Sequence, residues 1–496
     1  MAMPTEPTFL VFDSKVTSGH NDKGLIYCKV KDADVQWPKI CKAKKLFSTP
    51  FSSVANSLGP FVRAHVMHKY WEQKKIDKQT NHEYQDVLVD SHSENPQRQT
   101  RVYETCLPQP ERWRTDPFDC FPINMQPYMH ELLLMFISAF TDELYTIEMY
   151  WGVNPAKTFW VPLSLTDAAL MNSILYANSV LRAGWNPRKE CVIGINHLQQ
   201  TIQLLNKRLQ DQQPSIDDAT IGTVAGLALT ECSCGHEDKW RIHMAGMKRM
   251  IDTRGGLSAF ESQPFLYDKI CRADLAGTFQ QLSTPILQIN DSETKSKVFE
   301  NCEYIATGLS SGFRAVHEEC SLDAGFIDVL RLVTIVTREL GAFKRLKSDM
   351  LPGLTRRRTR YIQYHILSRV SSSEESLITA LKLGILLHVG IISNEFSKFP
   401  VSHRVTRELR SSLVKANFVG YVMQTLRLWI LFLAGSVVGD PLEKQWVLTS
   451  IHDCLSRLSI SSWEEARFTL EKFAWVGRLQ NIGGESLWLE TKSSTA

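Results

Sequence analysis

Two cysteines and two histidines that could bind a metal stand close together in the sequence: Cys232, Cys234, His236 and His243. Tetrahedral zinc sites usually take two ligands from one tight turn, with a C-x2-C or C-x4-C spacing. A C-x-C spacing instead directs its thiols to opposite sides of a strand, or about 200° apart on a helix. We therefore favour small buried thiols beside a loop histidine over a zinc site, and we predict no metal and no other cofactor.

The other cysteines show no zinc-binding spacing. The chain has 11 cysteines, and no two of them stand at a C-x2-C or C-x4-C spacing. In an intracellular protein we expect these thiols to be reduced rather than paired in disulfides.

A second segment with chemically versatile side chains is WRIHMAGMKRMIDTRGGL, residues 240–257. Its apolar side chains recur at the spacing of one helix face: Trp240, Met244, Met247 and Ile251. His243 lies beside this stripe, Arg254 suits the negative end of the helix dipole, and Gly255 can adopt a left-handed conformation that ends the helix. We therefore interpret the segment as a scaffold helix with a stop signal, and His243 as a half-buried structural residue rather than a catalytic one.

Most signatures of common enzyme sites do not occur in the sequence. There is no G-x-x-x-x-G-K-[ST], no H-E-x-x-H and no G-x-G-x-x-G. GLSSG at 308–312 matches G-x-S-x-G in spacing but does not follow a strand-like run, as a nucleophile elbow must. The acidic pairs Asp217–Asp218 and Glu464–Glu465 stand at predicted helix starts, where the helix dipole favours them. We predict that the chain is not an enzyme; an active site assembled from scattered residues is the alternative.

The elements that must position these residues are helical for most of the chain. Residues 1–75 carry short strand-like runs, TFLVF and GLIYCKV, and one predicted helix at 61–75. Residues 76–112 are polar without apolar periodicity, which predicts a loose linker. From 113 to 496, apolar residues recur at helical spacing. The predicted fold class is all-α and multi-helix, with a short N-terminal segment of irregular and β-type character.

Two helix starts in this region carry capping signals. In SLTDAALMNSILYANSVL, Thr166 is placed to cap a helix, and Leu165 can pack on Leu170 as a hydrophobic staple. In SIDDATIGTVAGLALTE, Ser215 is followed three residues later by Asp218, a capping-box arrangement. The glycines of the second segment predict close packing against a neighbouring helix.

Composition and hydropathy exclude some classes of protein. The net charge of +3 over 496 residues is too small to indicate a nucleic-acid partner by itself. The start, MAMPTEPTFLVFDSK, lacks the pattern of a secretory signal. The longest uncharged apolar run, LWILFLAGSVVG, is shorter than the about 20 residues that a spanning helix needs. We predict a buried core helix there and an intracellular, soluble protein with no membrane partner.

The segment TIGTVAGLALTECSCGHEDKWRIHMAGMKRMIDTRGGL, residues 220–257, resembles the regulatory domain of fungal-specific transcription factors. The positions that match this pattern are Val224, Leu227, Glu231, Gly235, Trp240, His243, Gly246, Arg254, Gly255, Gly256 and Leu257. FVRAHVMHKYWEQKK, DPFDCFPI, TRRRTRYIQYHILSRV, KQWVLTSI and ESLWLE resemble other stretches of the family in the same order. The resemblance covers about residues 8–488 and implies an all-helical regulatory domain over 113–496.

One departure from the family changes what the resemblance implies. Members that bind DNA carry six cysteines as two C-x2-C-x6-C arms, whereas the first cysteines here are Cys28 and Cys41. We therefore expect a nuclear transcription regulator that acts through the transcription machinery or a DNA-binding partner protein. Control of a secondary-metabolite pathway and a small apolar effector between helices are further expectations. Direct DNA contact, a scaffold with no role in transcription, and a zinc-cluster exon upstream stay open.

Two basic runs could contact nucleic acid or an import receptor. The first, CKAKK, carries Lys42, Lys44 and Lys45, and the second, TRRRTR, carries Arg356, Arg357, Arg358 and Arg360. Solvated helix faces and loop ends are the interpretation we favour for both. The alternatives are phosphate contacts or a nuclear-import patch, because short Lys/Arg runs serve both roles.

Overall fold

The computed structural model describes most of the chain from residue 121 onwards. The described residues are 121–150, 152–183, 187–211, 216–289, 291–300, 308–342, 351–369, 375–393, 395 and 401–493. They contain helices and no strand, so the predicted all-α fold class is confirmed for them. The strands and helix predicted within 1–75, the linker at 76–112 and the predicted domain start at 113 lie outside the described residues.

The helices fall into an earlier and a later group along the chain. The earlier helices are α1 (Pro127–Met135), α2 (Thr141–Leu144), α3 (Thr146–Tyr150), α4 (Val161–Ser164), α5 (Ala168–Ala183), α6 (Pro187–Gln210), α7 (Asp218–Ser233), α8 (Glu237–Thr253), α9 (Pro264–Gln281) and α10 (Asp291–Phe299). The later helices are α11 (Ser311–Cys320), α12 (Ala324–Gly341), α13 (Leu351–Leu367), α14 (Ser376–Ile392), α15 (His403–Lys415), α16 (Tyr421–Val437), α17 (Pro441–Arg457), α18 (Trp463–Glu471) and α19 (Gly477–Ser493). Two π-helical turns, Phe136–Phe140 and Ala156–Trp160, and one 3-10 turn, Leu257–Phe260, connect the early elements.

Helix α5 begins one residue later than its capping signal predicts. The Asp167 carboxylate accepts a hydrogen bond from the backbone N–H of Leu170 at 2.8 Å, as a cap does. Thr166 instead donates its hydroxyl to the carbonyl of Leu163 at 2.9 Å. The prediction of Thr166 as the cap is therefore wrong, because the carboxylate of the next residue accepts the free N–H while the Thr166 hydroxyl bonds back to Leu163. Leu165 is buried in a different core cluster from Leu170.

Helix α7 is capped by a neighbour of the residue expected from the sequence. The Asp217 carboxylate accepts the backbone N–H of Thr220 at 2.8 Å, and Asp218 is the first helical residue. The predicted capping box of Ser215 and Asp218 is therefore wrong, because Asp218 is the first rather than the third residue of the helix. Ser215 itself lies outside the described residues. Helix α7 packs on α5, α8 and α9. At Gly222 a Cβ would lie 2.9 Å from the Trp160 ring, so the predicted close packing of its glycines is confirmed there.

The later group is built around helix α16. Its segment 428–435 is wholly buried, which confirms that LWILFLAGSVVG forms a core helix. Helices α11, α14, α17, α18 and α19 pack against it. The indole N–H of Trp429 donates to the carbonyl of Ala474 at 2.8 Å, and its ring stacks on Phe473. None of the described helices is both long and apolar enough to cross a membrane.

Helix α13 links the two groups. It packs on α3, α9 and α10 of the earlier group and on α12 and α14 of the later group. A helix with neighbours on all these sides has little surface left for solvent. Its polar side chains must therefore find partners inside the protein.

Candidate functional site

The arginine run of α13 lies in the interior rather than on the surface. The exposed fractions of Arg356, Arg358 and Arg360 are 4%, 0% and 2%, and Arg357 is half-buried. Interpreting these residues as a solvated face, or as phosphate or import-receptor contacts, is therefore wrong for the three buried arginines. Their neighbours are carboxylates of distant segments, which make burial of the guanidinium groups tolerable. The other basic run, Lys42, Lys44 and Lys45, lies outside the described residues.

The spacing of the arginines sends them to two faces of the helix. Arg356 and Arg360 are one helical turn apart and share the face directed at α3 and α9. Arg358 lies about 200° around the helix from them. It contacts α12 and the end of α10.

Arg356 joins α13 to α3. Its Nε and Nη2 donate to the two carboxylate oxygens of Glu148, at 2.9 and 2.5 Å. This side-on, two-pronged geometry is the strongest form of arginine–carboxylate pairing. Its Nε also lies 3.6 Å from Oδ1 of Asp268 on α9. Both carboxylates are buried, so Arg356 ties three helices together without solvent screening.

Arg360 continues the network one turn further along α13. Its Nε donates to Oδ1 of Asp268 at 2.7 Å, and its Nη1 donates to Gln363 Oε1 at 2.8 Å and also to Glu395. Gln363 donates in turn to Glu395 at 3.0 Å. The shared acceptor Asp268 makes the two arginines parts of one network.

The network holds its charges in the ionised form. Burial by itself would raise the pKa of Asp268, but the guanidinium groups of Arg360, Arg356 and Arg272 outweigh it, and the pKa lies below its usual value. Burial would likewise lower the pKa of Arg360, and the carboxylates of Asp268 and Glu395 instead raise it. Asp268 and Arg360 are therefore both charged near neutral pH.

Arg358 forms a second ionic cluster on the opposite face. It pairs with Glu339 on α12, which also accepts a hydrogen bond from the Thr355 hydroxyl at 3.0 Å. Its Nε and Nη2 donate to the backbone carbonyls of Val298 and Glu300 at 2.8 and 2.7 Å. These carbonyls lie at the end of α10, where helices leave acceptors unpaired. Arg358 thus closes that helix end as well as pairing a buried carboxylate.

A cleft of about 420 Å³ opens above the first network. Its floor is formed by buried Glu148, Asp268, Arg356 and Arg360. Its walls are half-buried and largely apolar: Val153, Phe265, Tyr267 and Leu354. Its mouth carries the exposed residues Pro264, Glu300 and Gly353. An apolar pocket with a few convergent polar groups is the usual form of a small-molecule site.

The charges that line the cleft balance. Four acidic residues face four basic ones: Glu148, Glu261, Asp268 and Glu300 against Lys297, Arg356, Arg357 and Arg360. At the mouth, Lys297 lies 2.7 Å and Arg357 3.9 Å from the Glu261 carboxylate. The lining therefore has strong local charges but no net charge.

The residues of the family pattern form a separate cluster around the α7–α8 turn. Glu231 is buried and accepts the phenol O–H of Tyr176 at 2.8 Å. Its other carboxylate oxygen lies 2.5 Å from His236 Nδ1 and 3.4 Å from Lys239 Nζ. Burial would raise the pKa of Glu231, but His236, Lys239 and Tyr176 together lower it. The carboxylate therefore ties α5 to the start of α8.

Trp240 and His243 lie in the core beside this turn. The apolar stripe predicted for α8 is confirmed, because Trp240, Met244, Met247 and Ile251 are all buried. The Trp240 indole donates to the Ala273 carbonyl at 2.7 Å. His243 is fully buried rather than half-buried, and burial lowers its pKa to about 4. It is thus a neutral imidazole at physiological pH.

The remaining residues of the pattern shape the ends of α8. Gly235, before the helix, has φ +75°, and Gly255 and Gly256, after it, have φ +95° and +91°. These values favour glycine, which has no Cβ to clash. Arg254 pairs with Asp218 of α7 at 2.5 Å, and Gly246 is buried within α8. The structure places all eight residues in turns and packing contacts, away from the cleft.

No metal-binding group is formed by the part of the chain that the structure describes: no three His, Cys, Asp or Glu side chains converge there. Cys234 is exposed, and burial raises the pKa of the Cys232 thiol to about 12.

The carboxylate partners of the arginines are the residues that the sequence interpretation misses. Glu148, Asp268 and Glu395 lie far from α13 in the sequence, and no pattern in one sequence pairs them. One local signal was present in α13 itself. Arg356, Arg360 and Gln363 occupy the i, i+4, i+7 positions of a core-facing stripe.

Comparison with protein families finds one match. Residues 131–300 match the family model described as Fungal specific transcription factor domain. This span contains the 220–257 segment on which the resemblance was based, so the resemblance is confirmed for this part of the chain, about a third of its 496 residues. Comparisons with curated proteins and with solved structures give no match.

Proposed function

We propose, from the fungal-specific transcription factor domain matched by residues 131–300, that the chain is a nuclear regulator of transcription that controls a secondary-metabolite pathway. The match is the observation that carries this proposal, and it supports a regulatory role directly. The matched domain is a regulatory domain and not an enzyme, in keeping with the lack of P-loop, H-E-x-x-H and G-x-G-x-x-G signatures in the sequence.

The chain acts through a partner protein that supplies the DNA contacts. Two observations support this part of the proposal. The sequence has no pair of C-x2-C-x6-C arms, which are the DNA-reading device of the family. The three arginines buried in α13 are committed to internal carboxylates, so they cannot neutralise phosphates.

Deletion of the gene in its host tests the regulatory role. Transcripts of one biosynthetic gene cluster should change several-fold, and reintroduction of the gene should restore them. Unchanged transcript levels in cells that normally express the protein would refute a role in transcription. A scaffold without such a role would still co-purify with stable partners.

A second experiment separates partner-mediated from direct DNA binding. Chromatin immunoprecipitation of the tagged chain should recover the promoters of the affected cluster. The purified chain alone should leave those promoter duplexes unshifted on a gel, and the co-purified partner should restore the shift. A shift by the chain alone would overturn the partner requirement.

Nuclear entry is tested on the basic run near residue 40. A Lys42→Ala, Lys44→Ala, Lys45→Ala triple variant should lose nuclear accumulation if CKAKK is read by an import receptor. The control replaces three exposed basic residues elsewhere, Lys207, Arg407 and Lys415, by alanine. Equal nuclear fractions for the two triple variants would rule out CKAKK as the import signal.

A further inference from the structure

Lys269 on α9 is a cation without an anionic partner. It forms no ion pair with any carboxylate that the structure describes, and the charged group that acts on it is a second cation, Arg272 of the same helix. Its Nζ instead lies over the face of the Trp160 indole, 3.9 Å from the ring centroid. The side chain is therefore held by an aromatic ring and not by a counter-charge.

Trp160 is held tightly in place below this cation. It is 0% exposed and ends the π-helical turn Ala156–Trp160. Its ring meets the Phe159 ring edge-on, with the centroids 4.9 Å apart, and a Cβ on Gly222 of α7 would lie 2.9 Å from it. Short π-helical turns are rare and frequently accompany functional sites. The ring therefore fixes the place of the Lys269 amine.

Among the described residues, those that face Lys269 from α5 and α7 are uncharged. On α7 a Cβ at Gly226 would lie 3.3 Å from Nζ of Lys269 and 3.0 Å from Oγ of Ser173 on α5. The missing side chain at this position leaves room for the end of the lysine. Lys269 is half-buried, so unlike Arg358 it keeps some contact with the surface of the protein. A small uncharged molecule can reach it, whereas the packed helices hinder a bulky one.

These surroundings favour the neutral amine. Burial and the positive charge of Arg272 lower the pKa of Lys269 from 10.5 to about 7. A lysine with the ordinary pKa of about 10.4 is almost wholly protonated at neutral pH. A large fraction of Lys269 instead carries a free electron pair on its nitrogen. A desolvated lysine beside another cation is a common form of nucleophile in proteins.

We propose that the Lys269 amine reacts reversibly with dissolved carbon dioxide to form a carbamate. The electron pair of the nitrogen forms a bond to the carbon atom, one C=O electron pair moves onto its oxygen, and a proton leaves the nitrogen for water. The products are the side chain –NH–COO⁻ and a hydronium ion. The reaction needs no oxidant, reductant or other co-reactant.

The neighbouring charge favours this product over other modifications of the amine. Arg272 repels an ammonium group but attracts a carbamate, which is an anion, so the reaction replaces a repulsion by an attraction. An acyl group would give a neutral amide, which gains no such attraction, and its donor is much larger than carbon dioxide. The carbamate thus fits both the charge and the limited access of the site.

The modification changes the charge of a central helix. Helix α9 packs on α7, α8, α13 and α15, so a new anion on it is placed to alter several helix contacts. Any regulatory meaning of this change rests on the proposed function, whereas carbamate formation is a property of the purified chain. The two can therefore fail separately.

The carbamate is measured on the purified full-length protein by NMR under ¹³C-labelled carbon dioxide. Trapping with trimethyloxonium, which methylates the carbamate oxygen, and peptide mass spectrometry then locate it. Lys248 of α8 is the internal control, because its side chain is 45% exposed and pairs with Asp252 at 2.7 Å. At neutral pH the modified fraction of Lys269 should exceed that of Lys248 at least about ten-fold. No trapped carbamate on Lys269 at saturating carbon dioxide, or equal fractions on the two lysines, would overturn the proposal.

Variants test the chemistry without removing the positive charge. Lys269→Arg keeps a cation over the Trp160 ring but has no reactive amine, so it should lose the carbamate signal. Lys248→Arg is the matched control and should keep it. Arg272→Gln should lower the modified fraction of Lys269 several-fold, because the carbamate loses its neighbouring cation. The Tm of each variant shows that it folds. An undiminished carbamate signal in folded Lys269→Arg would place the reaction on another amine and refute the proposal.

Discussion

The core beneath α13 and the core around α16 are equally shielded from water but are filled by opposite chemistry. Arg358 on α13 and Trp429 on α16 are both 0% exposed. Arg358 is surrounded by the carboxylate of Glu339 and by backbone carbonyls. Trp429 packs on the rings of Phe313 and Phe473, with centroids 5.5 and 5.8 Å away. One region depends on matched charges and the other on matched volumes.

The difference separates stability from positional specificity. Apolar burial stabilises in proportion to area, and swaps of similar volume usually cost less than about 1.5 kcal/mol. A buried ion pair adds little net stability because desolvation offsets its attraction, yet loss of one partner leaves an uncompensated charge. We therefore expect the apolar core to supply most of the free energy of unfolding and the ionic core to fix where α13 sits.

The largest effect should come from removing one partner of the ionic core. Arg358→Met leaves the buried Glu339 carboxyl without its cation, and it removes the guanidinium donor from the carbonyls of Val298 and Glu300. We expect the free energy of unfolding to fall by about 3–5 kcal/mol, measured by urea denaturation.

Two further variants show whether burial causes this loss. Arg331→Met removes an exposed arginine on the neighbouring α12, 3.0 Å from Asp328, and should cost less than about 1 kcal/mol. The double variant Glu339→Met, Arg358→Met should recover part of the loss, because no buried charge is left alone. Equal costs for Arg358→Met and Arg331→Met would contradict the distinction between the two cores.

The next largest effect should come from adding side-chain volume in the apolar region, tested at two adjacent glycines of α19. At Gly484 a Cβ would lie 2.6 Å from the Trp463 ring and 2.9 Å from the Trp475 ring. Gly484→Ala should therefore lower the free energy of unfolding by about 1–3 kcal/mol. At Gly483 a Cβ meets no atom within 4 Å, so Gly483→Ala should raise it by about 0.5–1 kcal/mol. Opposite signs in urea denaturation are expected; a loss at both positions would mean that packing does not decide the outcome.

The two regions should also respond to different ranges of pH. Burial lowers the pKa of His388, beside Trp429, from 6.5 to about 3. The unfolded chain therefore binds a proton below pH 6.5 that the folded chain does not, and stability is lost as the pH falls. Asp268 has a lowered pKa, so its contribution persists until the pH falls below about 4.

A single variant measures this difference. Between pH 6.5 and 5, His388→Asn should reduce the loss of unfolding free energy by about 1–2 kcal/mol relative to the unmodified protein. Asp268 should contribute nothing over that range. An unchanged pH dependence in His388→Asn would show that this imidazole titrates normally in the folded state.

The sequence predicts the apolar parts of the structure better than the ionic core beneath α13. The apolar stripe of α8 and the buried α16 are predictable because hydrophobic periodicity is local to each helix. The turn glycines Gly235 and Gly255 are predictable because the backbone conformation at a helix end restricts the residue type.

The ionic cleft could not be predicted in this way. A run such as TRRRTR is normally solvated, since arginine is rarely buried without a partner. The partners Glu148 and Asp268 come from α3 and α9, and only the tertiary fold brings them to α13. The position of the α5 cap is missed for a smaller reason, because Thr166 and Asp167 are both good capping residues and their geometry decides between them.

The smallest predicted effect concerns features that the two regions share. Asp217 caps α7 of the earlier group, and Ser462 caps α18 of the later group in a complete capping box with Glu465. Asp217→Ala and Ser462→Ala should each lower the free energy of unfolding by about 1 kcal/mol, measured by urea denaturation. Asp211→Ala, at an exposed position just beyond α6, is the control and should change it by less than about 0.5 kcal/mol. If the two cap variants lose similar amounts of unfolding free energy, the two regions differ only in their interiors. Caps at the surface act on backbone N–H groups, whatever core lies beneath them. A cost at one cap exceeding that at the other by more than about 1 kcal/mol would show that the underlying core also sets how firmly a helix end is held.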